Sequence, residues 1–199
     1  MDTEEVKSNV EGLELYSDNY PFRLSLRIRN FERETDFKKF LKNCEKLVRG
    51  SLEYRMWRNY IIDVLGVNTC MVTDERMDEV SVEVHHHIPP LYDVIKALVN
   101  KKIENSEDFS TFDIALETIE LHFANKIGYL TLIGSMHEKL HNGYLTVPIS
   151  FVKGDYQYFL REFSKYLDDE DLDKINSRLA MNESNCSWSR DNYPVANVQ

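Results

Sequence analysis

The sequence predicts an α+β protein in which helices outnumber strands. Apolar residues recur every three or four positions along most of the chain, whereas only a few short segments alternate between apolar and polar residues. The 199 residues, 42% of them apolar and 29% charged, are enough for one well-buried domain or for a core domain with an added helical layer.

The N-terminal part is predicted to contain one strand and two helices. Residues 22–29 alternate apolar and polar side chains, which predicts a half-buried strand. Residues 36–49 place their apolar side chains on one face of a helix, and Gly50 ends it. Ser51 is a typical N-cap for a second helix over residues 52–65.

The remainder is predicted to be mainly helical. A strand within residues 68–90 ends in three consecutive histidines. The predicted helices cover residues 91–102, 111–125, a short segment from about Ser135, 156–167 and 171–180, and a candidate strand covers residues 144–152. The chain divides into an N-terminal strand and helices with a basic segment (1–66), a central region with the two histidine clusters and a helical insertion (67–145), a C-terminal helical layer (146–180) and a tail expected to be disordered (181–199).

Composition indicates an intracellular protein. The sequence has no run of about 18 apolar residues, which would be needed to span a membrane, and its acidic start is unlike a signal peptide. We therefore expect a cytoplasmic location, in the host cytoplasm if the source is viral. Cys44, Cys70 and Cys186 are odd in number and widely spaced, which argues against a disulfide framework and against a four-cysteine structural zinc. Cys44 and Cys70 are expected to be small buried residues.

Positive charge is concentrated in one segment of an acidic chain. Residues 22–62 contain eleven Lys and Arg against five Asp and Glu, whereas the whole chain has a net charge of -10. Such a segment can track a phosphate backbone, because binding responds to the local field. The alternative is that its lysines form the solvated face of an amphipathic helix.

Five of the six histidines fall into two clusters. His85, His86 and His87 end a strand, and His137 and His141 have the four-residue spacing that places two side chains on one helix face. Adjacent strand residues point to opposite sides, so one of His86 and His87 can bind a metal while the other faces a substrate. We expect His86, His137 and His141 to hold one divalent metal ion with positions open for water and phosphate.

The two clusters resemble the HNH nuclease family, also called the His-Me finger or ββα-metal class. The family's strand-end motif His-His-Ile-x-Pro is found at residues 86–90, and its leucine-rich loop and histidine-bearing helix at residues 130–141. The resemblance covers roughly residues 55–145. It implies a ββα-metal centre surrounded by N- and C-terminal helices, and a DNA endonuclease of bacteriophage or bacterial origin. By this resemblance His87 is the general base, and the ion held by His86, His137 and His141 is Zn, Mg, Mn or Ni.

Other residues have supporting roles in this interpretation. Asn125 is the candidate to constrain the loop, and Lys139 or Arg58 is the candidate to contact phosphate. We expect His85 to flank the site and His122 to be a surface or capping residue.

Alternatives remain open at this point. Gly128 stands where the family has its middle Asn, and Thr73, Ile133 and Met136 stand at positions where many members have zinc-binding cysteines. With the acidic charge, these departures favour an HNH-fold protein that has lost cleavage and acts as an interaction module or subunit in a phage or nucleoprotein assembly. An acidic surface that mimics DNA is a third hypothesis. The sequence predicts no oligomeric state.

Overall fold

The computed structural model describes residues 31–76 and 81–193, and the strand predicted over residues 22–29 lies outside them. Within these two ranges the chain forms seven α-helices and one two-stranded sheet. The helices are α1 (Glu34–Gly50), α2 (Leu52–Asn59), α3 (Leu91–Glu104), α4 (Thr111–Phe123), α5 (Gly134–His141), α6 (Tyr156–Phe163) and α7 (Asp169–Leu179). The strands are β1 (Val82–His86) and β2 (Tyr129–Ile133). The predicted α+β class is therefore confirmed.

The sheet joins two segments that α3 and α4 separate in the sequence. β1 and β2 are antiparallel, with Val82 opposite Ile133 and His86 opposite Tyr129. All but the last residue of β2 are buried, whereas β1 alternates between buried and half-buried positions. One face of β1 therefore packs into the core while the other faces a cleft.

The first helices form the layer against which the sheet packs. α1 packs mainly against α4 and α3, and α2 packs against α4. The buried face of α1 contains Phe40, Leu41, Cys44 and Val48, as its apolar spacing predicts. Cys44 and Cys70 are both fully buried free thiols, in agreement with the sequence-based expectation.

Local signals place the helix starts. The Ser51 hydroxyl accepts a hydrogen bond from the Tyr54 amide at the start of α2. Before α4, Ser110 and Asp113 form a reciprocal capping box. A π-helical turn over Tyr60–Val64 continues α2, so the predicted helix over residues 52–65 is present with a wider final turn.

The segment predicted as a strand over residues 144–152 has no strand pairing. It contains a short 3-10 helix (Ile149–Phe151), and the neighbouring Lys153 forms an isolated bridge to Tyr129. Pro148 immediately precedes the 3-10 helix, and proline has no amide hydrogen for a sheet ladder. The alternation of apolar and polar side chains over residues 144–152 therefore does not lead to a strand paired in a sheet.

Residues 181–193 pack against the body of the protein, whereas the sequence predicted disorder from Met181 onwards. Trp188 is buried, and its Nε1–H donates to the Val72 carbonyl at 3.1 Å. Its backbone amide donates to the Thr146 carbonyl at 3.0 Å. One tryptophan thus anchors a segment whose polar composition suggested disorder.

Gly128 allows β2 to start close to the end of β1. A side chain at this position would place its Cβ 2.4 Å from the Ile88 carbonyl oxygen and 2.9 Å from the Tyr156 Cβ. The Gly128 carbonyl also accepts a hydrogen bond from the His87 amide at 3.3 Å. The glycine is therefore needed for packing, which explains why no Asn stands here.

Candidate functional site

β1 sends its histidines to opposite faces. Val82, Val84 and His86 lie on the buried face, and Glu83 and His85 lie on the half-buried face. The alternation predicted from the sequence is thus present, and it separates the predicted site into two groups of side chains.

The inner histidine pair consists of His86 and His122. Their Nε2 atoms lie 2.7 Å apart, and both residues are at most 3% exposed. Tyr54 and Trp57 stack on the His86 ring at 5.9 Å between centroids, and Trp57 meets the His122 ring edge-on at 4.6 Å. Both aromatic residues belong to the core, and His122 is not the surface or capping residue that the sequence suggested.

Hydrogen bonding fixes the tautomers of this pair. The Nδ1 atom of His122 lies 2.6 Å from the Thr118 carbonyl oxygen, which can only accept, so Nδ1 carries a hydrogen. In the neutral ring the Nε2 atom of His122 then accepts a hydrogen bond from the Nε2–H of His86. The Nδ1 atom of His86 is consequently an unprotonated acceptor, and it is buried without a partner in the described part of the chain.

Both rings of the inner histidine pair are neutral. Burial lowers the pKa of His122 to about 4, and burial together with the neighbouring His122 lowers the pKa of His86 well below 6.5. A second proton on His122 would sit on Nε2 and would face the Nε2–H of His86. A second proton on His86 would sit on Nδ1, which has no acceptor near it among the described residues. The pair therefore stabilises the core only in its uncharged form.

The outer histidine cluster lies on the other face of β1 and comprises His85, His137 and His141 with Glu83. A Glu83 Oε2 oxygen lies 3.0 Å from the His137 Nδ1. The His85 and His137 rings meet edge-on with centroids 4.7 Å apart, and the His137 and His141 rings are 6.2 Å apart. His85, expected only to flank the site, is therefore the strand histidine that contacts His137 of α5.

His87 follows β1 and is held by its backbone. Its amide donates to Gly128, and its carbonyl accepts a hydrogen bond from the Arg178 Nη1 at 3.0 Å. The side chain is 7% exposed, and burial followed by the nearby Arg178 charge lowers its pKa to about 3. The ring is neutral near pH 7 but is a weak base there, because few protons bind a group with so low a pKa.

The three predicted metal ligands do not form one donor set. His86 lies on the buried face, and its Nε2 is already engaged by His122, whereas His137 and His141 lie with the outer histidine cluster. Across residues 31–76 and 81–193, no group of three or more His, Cys, Asp or Glu side chains could hold a metal ion. The residues therefore do not fit the ion that the HNH resemblance implied, and the physical reason is the alternation of β1.

The supporting residues are widely dispersed. Asn125 lies just after α4 and has a left-handed backbone conformation with a φ of 56°. Its carbonyl accepts a hydrogen bond from the Asp155 amide at 2.8 Å. Lys139 is exposed, with its Nζ 5.4 Å from the centre of the Tyr193 ring. Arg58 is half-buried beside a cleft that the outer histidine cluster also lines.

A family profile described as Bacteriophage G278-like virion protein matches residues 2–193, almost the whole chain. The chain belongs to this family of phage virion proteins. Comparisons with curated proteins and with solved structures give no match. A virion protein is a component of the phage particle, and the particle is therefore the location that family membership supports.

Family membership also corrects the HNH nuclease assignment. The match describes a virion protein and supports neither a nuclease nor a hydrolase, and no HNH metal centre is seen in the part of the chain that the structure describes. β1, β2 and α5 do occur in the order strand, strand and helix, with α3 and α4 between the two strands, and this order is the layout behind the resemblance. Separately, none of the helices in the described ranges is both long and apolar enough to cross a membrane.

Sequence reasoning missed the partners of the key histidines. His122 follows Ile114 and Thr118 at helical spacing on the buried face of α4, and this placement could have predicted burial. Glu83 lies two residues before His85 on the same strand face, a position that predicts a shared environment. No local signal indicated Arg178, which reaches His87 from the C-terminal helix α7.

Proposed function

We propose that this virion protein is a non-catalytic interaction subunit that binds another protein of the phage particle through the exposed face of α2. The observation that carries the proposal is an apolar row on that face. The family match supports such a contact within the phage particle. The histidines that suggested catalysis include His86, which packs with His122 in the core and so has a structural role.

The outer apolar row consists of Leu52, Met56, Tyr60 and Val64. These residues are spaced by four, and their exposed fractions range from 49% to 68%. The π-helical turn after α2 extends the row to Val64. Four large apolar side chains in line on one helix form a contiguous surface of the kind that protein partners cover.

The outer apolar row is separate from the face of α2 that packs against the core of the protein. Tyr54, Trp57 and Ile61 fill that inner face and are at most 4% exposed. Folding of the chain therefore does not require the outer row to be apolar, because α2 is already attached through its aromatic side. A helix that is apolar on both sides is typical of a helix that contacts protein on both sides. An apolar helix or groove on the partner suits this row best.

The proposal is tested by replacing Leu52, Met56 and Val64 with Gln in phage that depend on a supplied copy of the protein. We expect the variant to fold, because these side chains are exposed, and its amount per purified particle to fall by at least about tenfold, which corresponds to 1.4 kcal/mol of contact energy. Arg55→Gln with Asn59→Ser, on the same helix, is the matched control and should be incorporated normally. Normal incorporation of the triple variant would overturn the proposal.

A row of lysines on α1 favours a second candidate function, contact with DNA in the particle. Lys38, Lys39, Lys42 and Lys46 lie on one exposed helix face and line a shallow groove of about 380 Å³. Lys38 pairs with Glu34 at 2.6 Å, but Lys38, Lys42 and Lys46 follow each other at the four-residue spacing where like charges repel. A polyanion would relieve this repulsion.

A further inference from the structure

The half-buried face of β1 forms one wall of a cleft of about 660 Å³. The opposite wall comes from α1 and α2, and the outer histidine cluster closes one end. This volume is in the range of sites for small organic molecules. The walls are about equally polar and apolar, with a serine hydroxyl, two tyrosines and several imidazoles among the lining groups.

Four residues with a formal charge line this cleft: Glu45, Arg49, Arg58 and Glu83. Glu45 is paired with Arg49, whose Nη2 and Nε lie 2.9 and 3.1 Å from one carboxylate oxygen. Glu83 is paired with the His137 imidazole. Arg58 has no carboxylate partner among the described residues, and its Nε atom is buried without a hydrogen-bond partner there.

We propose that the cleft binds an oxyanion, a phosphate or carboxylate group, with the Arg58 guanidinium as the binding residue. Glu45 is engaged by Arg49 and Glu83 by the His137 imidazole, so Arg58 is the charged residue of the lining that has no carboxylate partner among the described residues. A guanidinium presents its N–H donors in a planar fork that matches two oxygens of a phosphate or carboxylate. The Arg58 side chain is half-buried and has no carboxylate partner among the described residues, and an oxyanion in the cleft would supply acceptors for its guanidinium group.

One neighbouring residue suits the same ligand directly. The Ser81 hydroxyl is exposed and can donate one further hydrogen bond. Arg49 also lines the cleft with half of its side chain exposed, and its charge is offset by Glu45. The Nδ1–H of His137 donates to Glu83, so the Nε2 of its neutral ring is an acceptor and does not bind the anion. The ligand is therefore bound by donors of Arg58 and Ser81, which is a binding arrangement and requires no bond to be broken.

The test is a calorimetric titration of the whole protein with inorganic phosphate and, separately, with succinate, at constant ionic strength. We expect at least one of the two probes to bind, and Arg58→Gln to weaken its binding by at least about tenfold, as the loss of a charged hydrogen bond implies. Arg55→Gln, an exposed arginine on the same helix, should change the affinity by less than about twofold, since exposed charges contribute little. Circular dichroism confirms folding of each variant, and Arg58→Lys keeps the charge and stem if Arg58→Gln does not fold.

The pattern of binding identifies the source of the anion. Phosphate binding without succinate binding supports a phosphorylated small molecule, and succinate binding without phosphate binding supports an acidic side chain or terminal carboxylate of a partner. Absence of binding by both probes, or equal binding by wild type and Arg58→Gln, would overturn the proposal. Incorporation of Arg58→Gln protein into particles is measured in parallel, so failure of this site is distinguished from failure of the interaction-subunit function.

Discussion

Acid should unfold this protein because three buried histidines gain protons when the chain unfolds. His86, His87 and His122 are each less than 8% exposed. Burial lowers the pKa to about 3 for His87, to about 4 for His122, and well below 6.5 for His86. In the unfolded chain each pKa returns to about 6.5. Their stabilising contribution is therefore complete above pH 6.5 and is lost as the pH falls towards the folded values.

The size of the effect follows from the protons exchanged. Each proton taken up on unfolding changes the free energy of unfolding by about 1.4 kcal/mol per pH unit. Three histidines contribute roughly 4 kcal/mol per unit, and His85, whose pKa burial lowers to about 3, adds about 1.4 kcal/mol per unit. Asp93 opposes them, because burial and the nearby Asp171 raise its pKa to about 6 and its carboxyl group loses a proton on unfolding. The net slope is roughly 4 kcal/mol per unit between pH 6 and 4, against a typical total of about 5 to 15 kcal/mol.

Urea denaturation followed by circular dichroism between pH 4.5 and 7.5 measures this slope. We expect the double substitution His86→Leu with His122→Leu to remove about 2.7 kcal/mol per pH unit of it, because two titrating rings are gone. Asn142→Ser, an exposed position whose side chain does not titrate, should leave the slope unchanged. A wild-type free energy of unfolding that is constant across this range, or a double variant with the wild-type slope, would refute the assignment of a neutral buried pair.

Three further predictions test the fold and the charged surface. Gly128→Ala should destabilise the protein by more than about 2 kcal/mol in thermal unfolding, because its Cβ would overlap the Ile88 carbonyl, and a change below about 0.5 kcal/mol would contradict this packing. Trp188→Ala should cost about 3 to 5 kcal/mol in urea denaturation, and unchanged stability would show that residues 181–193 do not anchor the chain. Replacing Lys38, Lys42 and Lys46 with Gln should leave stability within about 0.5 kcal/mol. If α1 contacts DNA, the same change flattens the salt dependence of binding by up to about 0.9 per lost phosphate contact, whereas an unchanged slope would rule out this contact.

The helices could be predicted from the sequence because each has a local signal. The apolar face of α1, the Ser51 cap of α2 and the four-residue spacing of α5 each lie within one short segment. The pairing of β1 with β2 could not be predicted, because α3 and α4 lie between the two strands in the sequence. The candidate strand over residues 144–152 failed for a related reason, since alternation alone does not supply a pairing partner.

The histidines show why function was harder to predict than structure. Strand alternation correctly separated His86 from its neighbours, but the sequence did not indicate which face would be buried. That outcome depends on α4, which brings His122 to the Nε2 of His86. An imidazole that stabilises a core and an imidazole that binds a metal have the same spacing signature, and their surroundings distinguish them. The HNH resemblance rested on this signature and assigned the wrong family.

The most direct test of the interaction-subunit function is photo-crosslinking inside intact particles. A photoreactive amino acid replaces Met56 in the outer apolar row, and in a second variant it replaces Glu138, which is exposed on α5. Purified particles are irradiated, and the crosslinked products are identified by mass spectrometry. The proposal predicts a single protein partner crosslinked from position 56 and not from position 138. Crosslinks from position 56 to DNA, no crosslink from it, or the same products from both positions would contradict a protein contact through α2.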